Sequence, residues 1–471
     1  MRVRHCSSVA WARWLYRTPA VGLCALLIGC QSYERSDIDL QATRIEFEHR
    51  LEQTEAISDF AARLRETDQS QGEFDLWDDL SLGEGEVLAL FYNPRLRLAR
   101  LEAGVVLARR DHAGIWKDPV LGFNAADVLS ASSALEYGIT IGLTIPISGR
   151  LGVERDRADA AYEVELQRLV DMEWSTRQWV RQAWVSWSTA VERTRLLESQ
   201  IERVEHTSGI ADQLEEAGEL VRSEARLLRI ELAEQRASLR QAQLDEHTAR
   251  LALLGLIGLS PSTSQVLVES LSPVGSAMYD DPIRRIIASN TELAIQRAAY
   301  QVAEETLRLE VRKQYPDIDL GLGYGNEDDD RLLLGFALPI PLLNANRGGI
   351  AEARANRELA RARAEITFER LTHAFAETQS RIDSIKSQRA IYEQEVVPML
   401  DTQSQELEKL INLGEMNTLF LLETVTRSYE GKSRLLDLQL AHQHAAIELN
   451  RLLGPDTPYL NDEDDQPRGD Q

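Results

Sequence analysis

Residues that could carry out catalysis are sparse along this chain. The two closest histidines, His442 and His444, are two positions apart within a helical pattern and therefore point to different faces. No zinc-protease, phosphate-loop, nucleophile-elbow or paired-cysteine motif occurs in the sequence. Adjacent acids, such as Asp78-Asp79 and Asp328-Asp329-Asp330, fall in stretches typical of solvated loops. The sequence therefore predicts no enzyme active site, no metal site and no cofactor.

One cysteine has a setting that predicts covalent modification. N-terminal arginines are followed by an apolar run from Ala20 to Gly29, which is too short to span a bilayer and indicates a signal peptide. The run ends in Leu27-Ile28-Gly29-Cys30, which resembles a bacterial lipobox. We predict that Cys30 is lipidated, and that Gln31 in place of Asp directs it to outer membrane lipid. The alternative is an ordinary secretory signal that ends near a chance cysteine.

Composition narrows the class of protein. The chain has 471 residues and a net charge of −24, and an acidic protein of this kind lacks the basic face that nucleic acid requires. The acidic side chains could equally form a solvated coat. Ala, Leu, Glu and Arg dominate, as in chains with long helices. After removal of the signal peptide only Cys30 remains, so no internal disulfide can form.

The chain contains an internal duplication. The segment "YNPRLRLARLEAG" from Tyr92 corresponds to "SNTELAIQRAAYQ" from Ser289. Asn93 and Asn290 are 197 positions apart (290 − 93), as are Pro119 and Pro316 (316 − 119). Two glycine pairs were also matched by their surroundings: Gly218 with Gly414, and Gly255 with Gly454. Internal repeats of this kind decide the architecture of the whole chain.

The duplication divides the chain into six segments. We predict a signal peptide at 1–29, an N-terminal periplasmic segment at 30–81 and a first repeat at 82–259. A Pro/Ser/Gly-rich connector at 260–281, a second repeat at 282–454 and an acidic tail at 455–471 follow. Each repeat follows the order helix, strand, strand, very long helix, glycine turn, helix.

Each repeat contains two predicted strands, and three of these four strands show strict alternation. Odd positions from Tyr137 to Ile147 are large and apolar, whereas the even positions between them are small or polar. The segments Ile318–Gly325 and Leu334–Ile340 alternate in the same way, and Pro119–Asp127 forms a weaker fourth strand. This pattern is typical of a transmembrane barrel, although a half-buried sheet of a soluble protein is the alternative. Four strands cannot close a barrel, so two copies would supply eight strands and three copies twelve.

The helices that follow the strands are unusually long. No proline occurs between Arg150 and Ile210, a segment that would extend roughly 90 Å as a helix. The corresponding helix runs from Ile350 to Asn412, with a predicted bend at Pro398. Apolar residues from Leu371 to Met399, and again Val180, Trp184, Trp187 and Val191, follow the 4-3 spacing of coiled coils. The sequence therefore favours a conduit over an enzyme.

Taken together, these features resemble the TolC-like outer membrane efflux protein family, over about residues 82–454. The resemblance implies a mainly α fold with a membrane β-barrel portion, in which each repeat supplies a strand hairpin and a long coiled-coil helical hairpin. It also implies a homotrimer with a twelve-stranded barrel and a periplasmic α-helical tunnel. The implied function is the outer membrane channel of a tripartite efflux or type I secretion system. Its implied partners are a periplasmic adaptor protein and an inner-membrane pump.

The resemblance also implies which residues form the periplasmic tips. Each helical hairpin of the family turns at a glycine, which here is Gly218 and Gly414, because glycine adopts a left-handed conformation without penalty. We predict that Ser223 caps the next helix in the first repeat, and that Asn417 or Thr418 does so in the second.

Family members close the tunnel with acidic residues six and nine positions beyond the tip glycine. The sixth position is Glu224 in the first repeat and Phe420 in the second, where the ninth is Glu423. These three residues are the candidate gate, and the alternative for Glu224 and Glu423 is a solvated helix face. Met416 and Ile411 occupy the positions of the family's Arg–Tyr latch, and this departure from the family pattern favours an apolar ring at Phe420 that replaces part of the latch.

Two other classes of protein remain open at this point. A periplasmic adaptor would also be lipidated and carry a helical hairpin, but one hairpin flanked by soluble β-domains rather than two. A structural coiled-coil lipoprotein without a pore would lack the alternating strands.

Overall fold

The computed structural model describes residues 33–52, 54–67, 74, 79–127, 135–272, 280–327, 329–412 and 417–456. The predicted signal peptide, Cys30, Gly414 and the tail beyond Asp456 therefore lie outside the described residues. The chain forms two compact units, Met1–His49 and Arg50–Gln471. Within the first unit, helix α1 (Leu40–Glu48) is capped by Asp39, whose carboxylate accepts hydrogen bonds from the first turn.

The second unit has two halves, and a helix pair, two strands and long helices follow one another in the same order in each half. After a short 3₁₀ helix, its first half contains α2 Thr54–Thr67, α3 Leu82–Tyr92, α4 Pro94–Asp111, β1 Val120–Asp127, β2 Leu135–Ile145, α5 Arg150–Ala217 and α6 Arg222–Ile257. Its second half contains α7 Pro282–Ser289, α8 Thr291–Arg312, β3 Ile318–Glu327, β4 Asp329–Ala337, α9 Arg347–Ile391, α10 Val397–Asn412 and α11 Thr418–Leu453. The two strands of each half thus lie between a helix pair and a long helical hairpin.

The four described strands form one antiparallel sheet in the order β1-β2-β3-β4. Ile141 of β2 lies opposite Leu121 of β1 and Leu322 of β3, which in turn lies opposite Leu334 of β4. The register therefore aligns the apolar positions of all four strands on one face, and this face is exposed. Small and polar residues, among them Gly122, Thr140 and Gly323, occupy most of the other face, as the alternation predicted, but Val120 and Leu333 also lie on it.

The fourth strand ends earlier than the sequence predicted. We expected it to run to Ile340, but its ladder with β3 stops at Ala337. Pro339 and Pro341 follow, and proline has no N–H to donate to a ladder. The alternation of apolar residues thus continues beyond the last paired residue.

The long helices differ between the halves. Helix α5 has 68 residues without interruption, which corresponds to about 100 Å of helix. Its counterpart is interrupted by a π-helical turn at Tyr392–Val396 between α9 and α10. Pro398 follows this turn, and a proline cannot donate the hydrogen bond that a regular helix requires. The helix is thus irregular immediately before Pro398, and the predicted bend at this residue stays a prediction. Within the described residues, no helix combines the length and apolar content that a membrane-spanning helix requires.

Both predicted coiled-coil seams are buried in part. In the first half Val180, Trp184 and Trp187 lie in the main apolar core, where the Trp184 indole donates to the Val268 carbonyl at 2.8 Å. In the second half the seam is buried from Leu371 to Ile385, but Met399 is 62% exposed. The prediction that the seam continues to Met399 is therefore wrong, because the π-turn shifts the register of the helix before that residue.

A hydrogen bond from a buried asparagine side chain joins the beginning of each half to its end, and we refer to this contact as the asparagine lock. Asn93 is buried between α3 and α4, and its amide donates to the Leu256 carbonyl at 2.7 Å. Asn290 makes the same contact with the Leu452 carbonyl at 2.8 Å. Each asparagine also caps the helix that follows it, through its side-chain oxygen.

The glycines of this lock correct one predicted correspondence. Gly454 ends α11 with φ 78°, and the equivalent residue that ends α6 is Gly258, with φ 88°. Gly255, which the sequence had matched with Gly454, lies within α6 instead. The pair Gly258 and Gly454 could not be recognised from the neighbouring residues in the sequence, because it depends on which residue ends the helix in a left-handed conformation.

Candidate functional site

The turn of the first helical hairpin is formed around Gly218. This residue ends α5 with φ 80°, and the amides of Glu219 and Leu220 return to the Leu214 carbonyl at 2.9 and 3.1 Å. The predicted cap at Ser223 is wrong. Helix α6 begins at Arg222, two residues earlier than a cap at Ser223 would require, and the carbonyl of Val221 receives the amide of Glu224 at 2.9 Å.

The second hairpin is described up to its turn on both sides. Helix α10 ends at Asn412 and α11 begins at Thr418, so the candidate tip Gly414 falls in the segment that the structure does not describe. Asn417 is the N-cap of α11, and its side-chain oxygen accepts the amide of Phe420 at 3.1 Å. The capping prediction for Asn417 is therefore confirmed.

The two hairpins pack together next to these turns. A buried apolar cluster contains residues from four helices: Ala211 of α5, Ala225 and Leu228 of α6, Leu407 of α10 and Leu421 of α11. Ile411, at one position of the family's latch, packs against this cluster. Small alanines at Ala211 and Ala225 allow the helices to approach closely, and the cluster fixes the first turns of α6 and α11 side by side.

Glu224 lies at this junction. It is half-buried, and its carboxylate accepts a hydrogen bond of 3.3 Å from the Thr418 hydroxyl. The two residues are 194 positions apart, and each belongs to the first turn of its helix. The structure thus places Glu224 against α11, the helix that carries the other two candidate gate residues.

Phe420 and Glu423 lie on the first two turns of α11. Phe420 is 44% exposed and lines a groove of about 730 Å³, together with Pro398 and Met399 next to the π-turn. Glu423 is exposed and forms an ion pair with Arg427, one turn along α11. The sequence analysis missed Arg427, although the i, i+4 spacing on a helix was sufficient to find it. Within one chain, the Glu423 charge is therefore balanced by Arg427.

A second groove, of about 640 Å³, lies between α5, α10 and α11. Its lining is mixed, with Arg203 and His206 on α5 and an ion pair of 2.7 Å between Lys432 and Asp401. Both grooves therefore combine apolar and polar residues at the hairpin ends of the helices.

The histidines considered for chemistry are both half-buried within α11. His444 Nε2 lies 3.1 Å from the Ser186 hydroxyl, and burial lowers the pKa of this imidazole. Burial also lowers the pKa of His442, with further lowering by the nearby Arg389 and Lys386. Among the residues described, no group of three or more His, Cys, Asp or Glu side chains could hold a metal ion.

The described residues thus combine a four-stranded sheet with two long helical hairpins that pack together next to their turns. No protein-family model matches the sequence, and no curated protein matches it significantly. Solved structures do match the chain in fold. A membrane protein from Pseudomonas aeruginosa is 17% identical, with a TM-score of 0.70 over 80% of this chain and 91% of that chain.

Two further solved structures are named as outer membrane proteins. The outer membrane protein VceC of Vibrio cholerae is 16% identical, with a TM-score of 0.67 over 79% of this chain and 96% of that chain. The MtrE outer membrane channel of Neisseria gonorrhoeae, in its open state, is 16% identical, with a TM-score of 0.67 over 79% and 88% of the two chains. The resemblance indicated by the sequence is therefore confirmed for the fold.

Proposed function

We propose that this protein is the outer membrane channel of an export system, through which substrates pass without being chemically changed. The observation that carries this proposal is the sheet. It has one exposed apolar face and one face of mainly small and polar residues, and within the described residues β1 and β4 each pair on one side only. Unpaired strand edges are not tolerated in hydrocarbon, so the sheet requires further strands.

Three copies of the chain satisfy this requirement best. Twelve strands leave a channel, whereas eight strands give a small barrel whose interior side chains fill. A homotrimer also brings together three sets of helical hairpins, which would form the periplasmic tunnel. The fold shared with VceC and MtrE, which are named as an outer membrane protein and an outer membrane channel, supports a place for the sheet in the outer membrane.

The remaining parts of the proposal concern partners and anchoring. The hairpin turns and the two grooves beside them would receive a periplasmic adaptor, which would connect the channel to an inner-membrane pump of an efflux or type I secretion system. Acyl chains on Cys30 would anchor the protein in the outer membrane, in addition to the apolar face of the barrel. An adaptor function for the chain itself is disfavoured, because the chain carries two helical hairpins rather than one.

Measurements of channel conductance and of the mass of the assembled protein test this proposal. We expect the protein to fractionate with the outer membrane, to have the mass of a cross-linked trimer in detergent, and to form discrete channels in planar bilayers. A monomer or dimer that never conducts would contradict the proposal. Incorporation of radiolabelled fatty acid into the wild type, but not into Cys30→Ser, tests the anchor separately, because a channel can conduct without its acyl chains.

A further inference from the structure

The two links from sheet to helical hairpin differ in length and polarity. Four residues, 146–149, join β2 to α5, whereas nine residues, 338–346, join β4 to α9. The longer link carries four exposed apolar side chains, and their exposed fractions are 41% for Leu338, 71% for Ile340, 80% for Leu342 and 96% for Leu343. We refer to Leu338, Ile340, Leu342 and Leu343 as the apolar loop. Leaving such side chains in water is unfavourable, so the apolar loop requires an occupant that covers it.

The apolar loop has a fixed base. The Leu342 amide donates to the Ile340 carbonyl at 2.9 Å across Pro341, which turns the chain tightly. Asn346 then adopts a left-handed conformation with φ 50°. Its side-chain amide donates to the backbone carbonyl of Glu310 at 2.9 Å and to the Glu310 carboxylate at 2.8 Å. These contacts attach the link to the end of α8, so the exposed leucines project from a defined position.

We propose that the apolar loop inserts among the acyl chains of the membrane leaflet on the helical side of the sheet. This inference rests on the proposed channel function. The first argument is continuity with the sheet, because Leu334 and Phe336 of β4 belong to the exposed apolar face and Leu338 and Ile340 continue the same alternation. The face that would contact lipid thus extends without interruption into the apolar loop.

The second argument is the composition around the same end of the sheet. Trp116 and Tyr315 precede β1 and β3, at the end where β4 finishes, and they are 51% and 58% exposed. Tryptophan and tyrosine prefer the membrane–water interface, and the exposed Lys117 next to Trp116 can extend to lipid headgroups. These aromatic residues mark the level at which the leaflet would end.

The third argument excludes a second copy of the chain as the main occupant. A neighbouring strand would pair with β4 along its edge, in the plane of the sheet. Side chains that continue the alternation instead leave the sheet perpendicular to that plane. Leu338 and Ile340, which continue the alternation, therefore face away from the direction in which a neighbouring copy would pair with β4.

Site-specific quenching tests this inference on the full-length protein. Single substitutions Leu343→Cys, Leu334→Cys and Glu216→Cys place a polarity-sensitive fluorophore on the apolar loop, on the sheet and next to the first hairpin turn. Unsubstituted protein serves as the labelling blank for Cys30. Each protein is reconstituted in phosphatidylethanolamine–phosphatidylglycerol vesicles that contain nitroxide lipids, with the spin label at a shallow or a deep position. The mass of each labelled protein is measured first, so that only assembled protein is compared.

We expect nitroxide lipids to quench the label at position 343 as they do at position 334, and the label at position 216 to lose none of its emission. At position 343 the shallow nitroxide should quench more than the deep one. Quenching at 334 without quenching at 343 would overturn the inference and leave the channel proposal intact. A blue-shifted emission at 343 without lipid quenching would overturn it in favour of a protein contact. Absence of quenching at both positions would overturn the channel proposal as well.

Discussion

The hydroxyl of Thr418 donates a hydrogen bond of 3.3 Å to the carboxylate of Glu224, and this contact connects the first turns of α11 and α6. It is a direct polar link between the two helical hairpins near their turns. The apolar cluster beside it keeps both first turns in place. Any movement that separates the hairpins at this end must therefore break the Glu224–Thr418 contact.

We predict that Thr418→Val loosens the closed arrangement of the hairpins. The substitution preserves side-chain volume but removes the donor, at a cost of about 1 kcal/mol. Planar-bilayer recordings should show a larger open probability than in the wild type. Thr426→Val, at an exposed threonine of the same helix, is the matched control and should behave as the wild type. Equal behaviour of the two variants would show that the link does not restrain the channel.

A second prediction concerns charge at the candidate gate. Three copies of Glu423 near a constriction should bind cations, and the Arg427 paired with each of them should weaken that binding. Glu423→Ala should therefore weaken the block by hexamminecobalt, and Arg427→Ala should strengthen it. Phe420→Ala should raise conductance with no change in cation block, because it removes volume and no charge. Identical block in the wild type and both charge variants would mean that Glu423 is a solvated residue only.

The left-handed glycines allow a prediction about stability. A Cβ atom on Gly258 would lie 2.4 Å from the Tyr92 carbonyl oxygen, and one on Gly454 would lie 2.0 Å from that of Ser289. Gly258→Ala and Gly454→Ala should each lower the unfolding free energy by about 1–3 kcal/mol, or more where the contact cannot relax. Gly255→Ala is the control, since nothing lies within 4 Å of its Cβ position. In a helix it should stabilise by up to about 1 kcal/mol. Thermal melts in detergent distinguish these outcomes.

A fourth prediction concerns pH. Burial raises the pKa of Asp171, and the hydrogen bond of 2.5 Å from the Thr291 hydroxyl partly opposes this effect. Nearby Glu292 raises the pKa further, and Arg451 lowers it. Because the folded protein holds the proton more tightly than the unfolded chain, the stabilisation is complete below the ordinary pKa of Asp. It is then lost as the pH rises through the raised value.

Asp171→Asn should remove this part of the pH dependence. The melting temperature of the wild type should fall relative to that of the variant as the pH is raised from about 4, the ordinary pKa of Asp, towards neutrality. Parallel curves for the two proteins across this range would contradict the assignment.

Periodicity made much of the fold predictable from the sequence. Alternation fixed the apolar face of the sheet, and the absence of proline predicted the uninterrupted α5, because both features depend on residues close together in the chain. The end of β4 was less predictable, since its apolar pattern continues past Ala337 although the prolines end the hydrogen bonding. The start of α6 was missed because Val221 caps it through its backbone alone.

The candidate site was predictable only in part. Cap formation by Asn417 follows from local sequence, and the Arg427 partner of Glu423 could have been found by its spacing. The contact between Glu224 and Thr418 could not be predicted from the sequence, because it depends on how two hairpins pack after distant segments of the chain meet. The same holds for Gly258, whose role depends on the approach of the Tyr92 backbone.

The asparagine locks at Asn93 and Asn290 have a consequence for how such a chain could arise. Each half returns at its end to the point where it began, so the path of one half does not depend on the other being covalently attached. In the proposed trimer, a ring of six separate half-length polypeptides could follow the same backbone course as a ring of three whole chains. Joining two gene copies head to tail would then require only a connector of sufficient length. The joined copies could diverge, which would account for the continuous α5 in one half and the interrupted α9–α10 in the other.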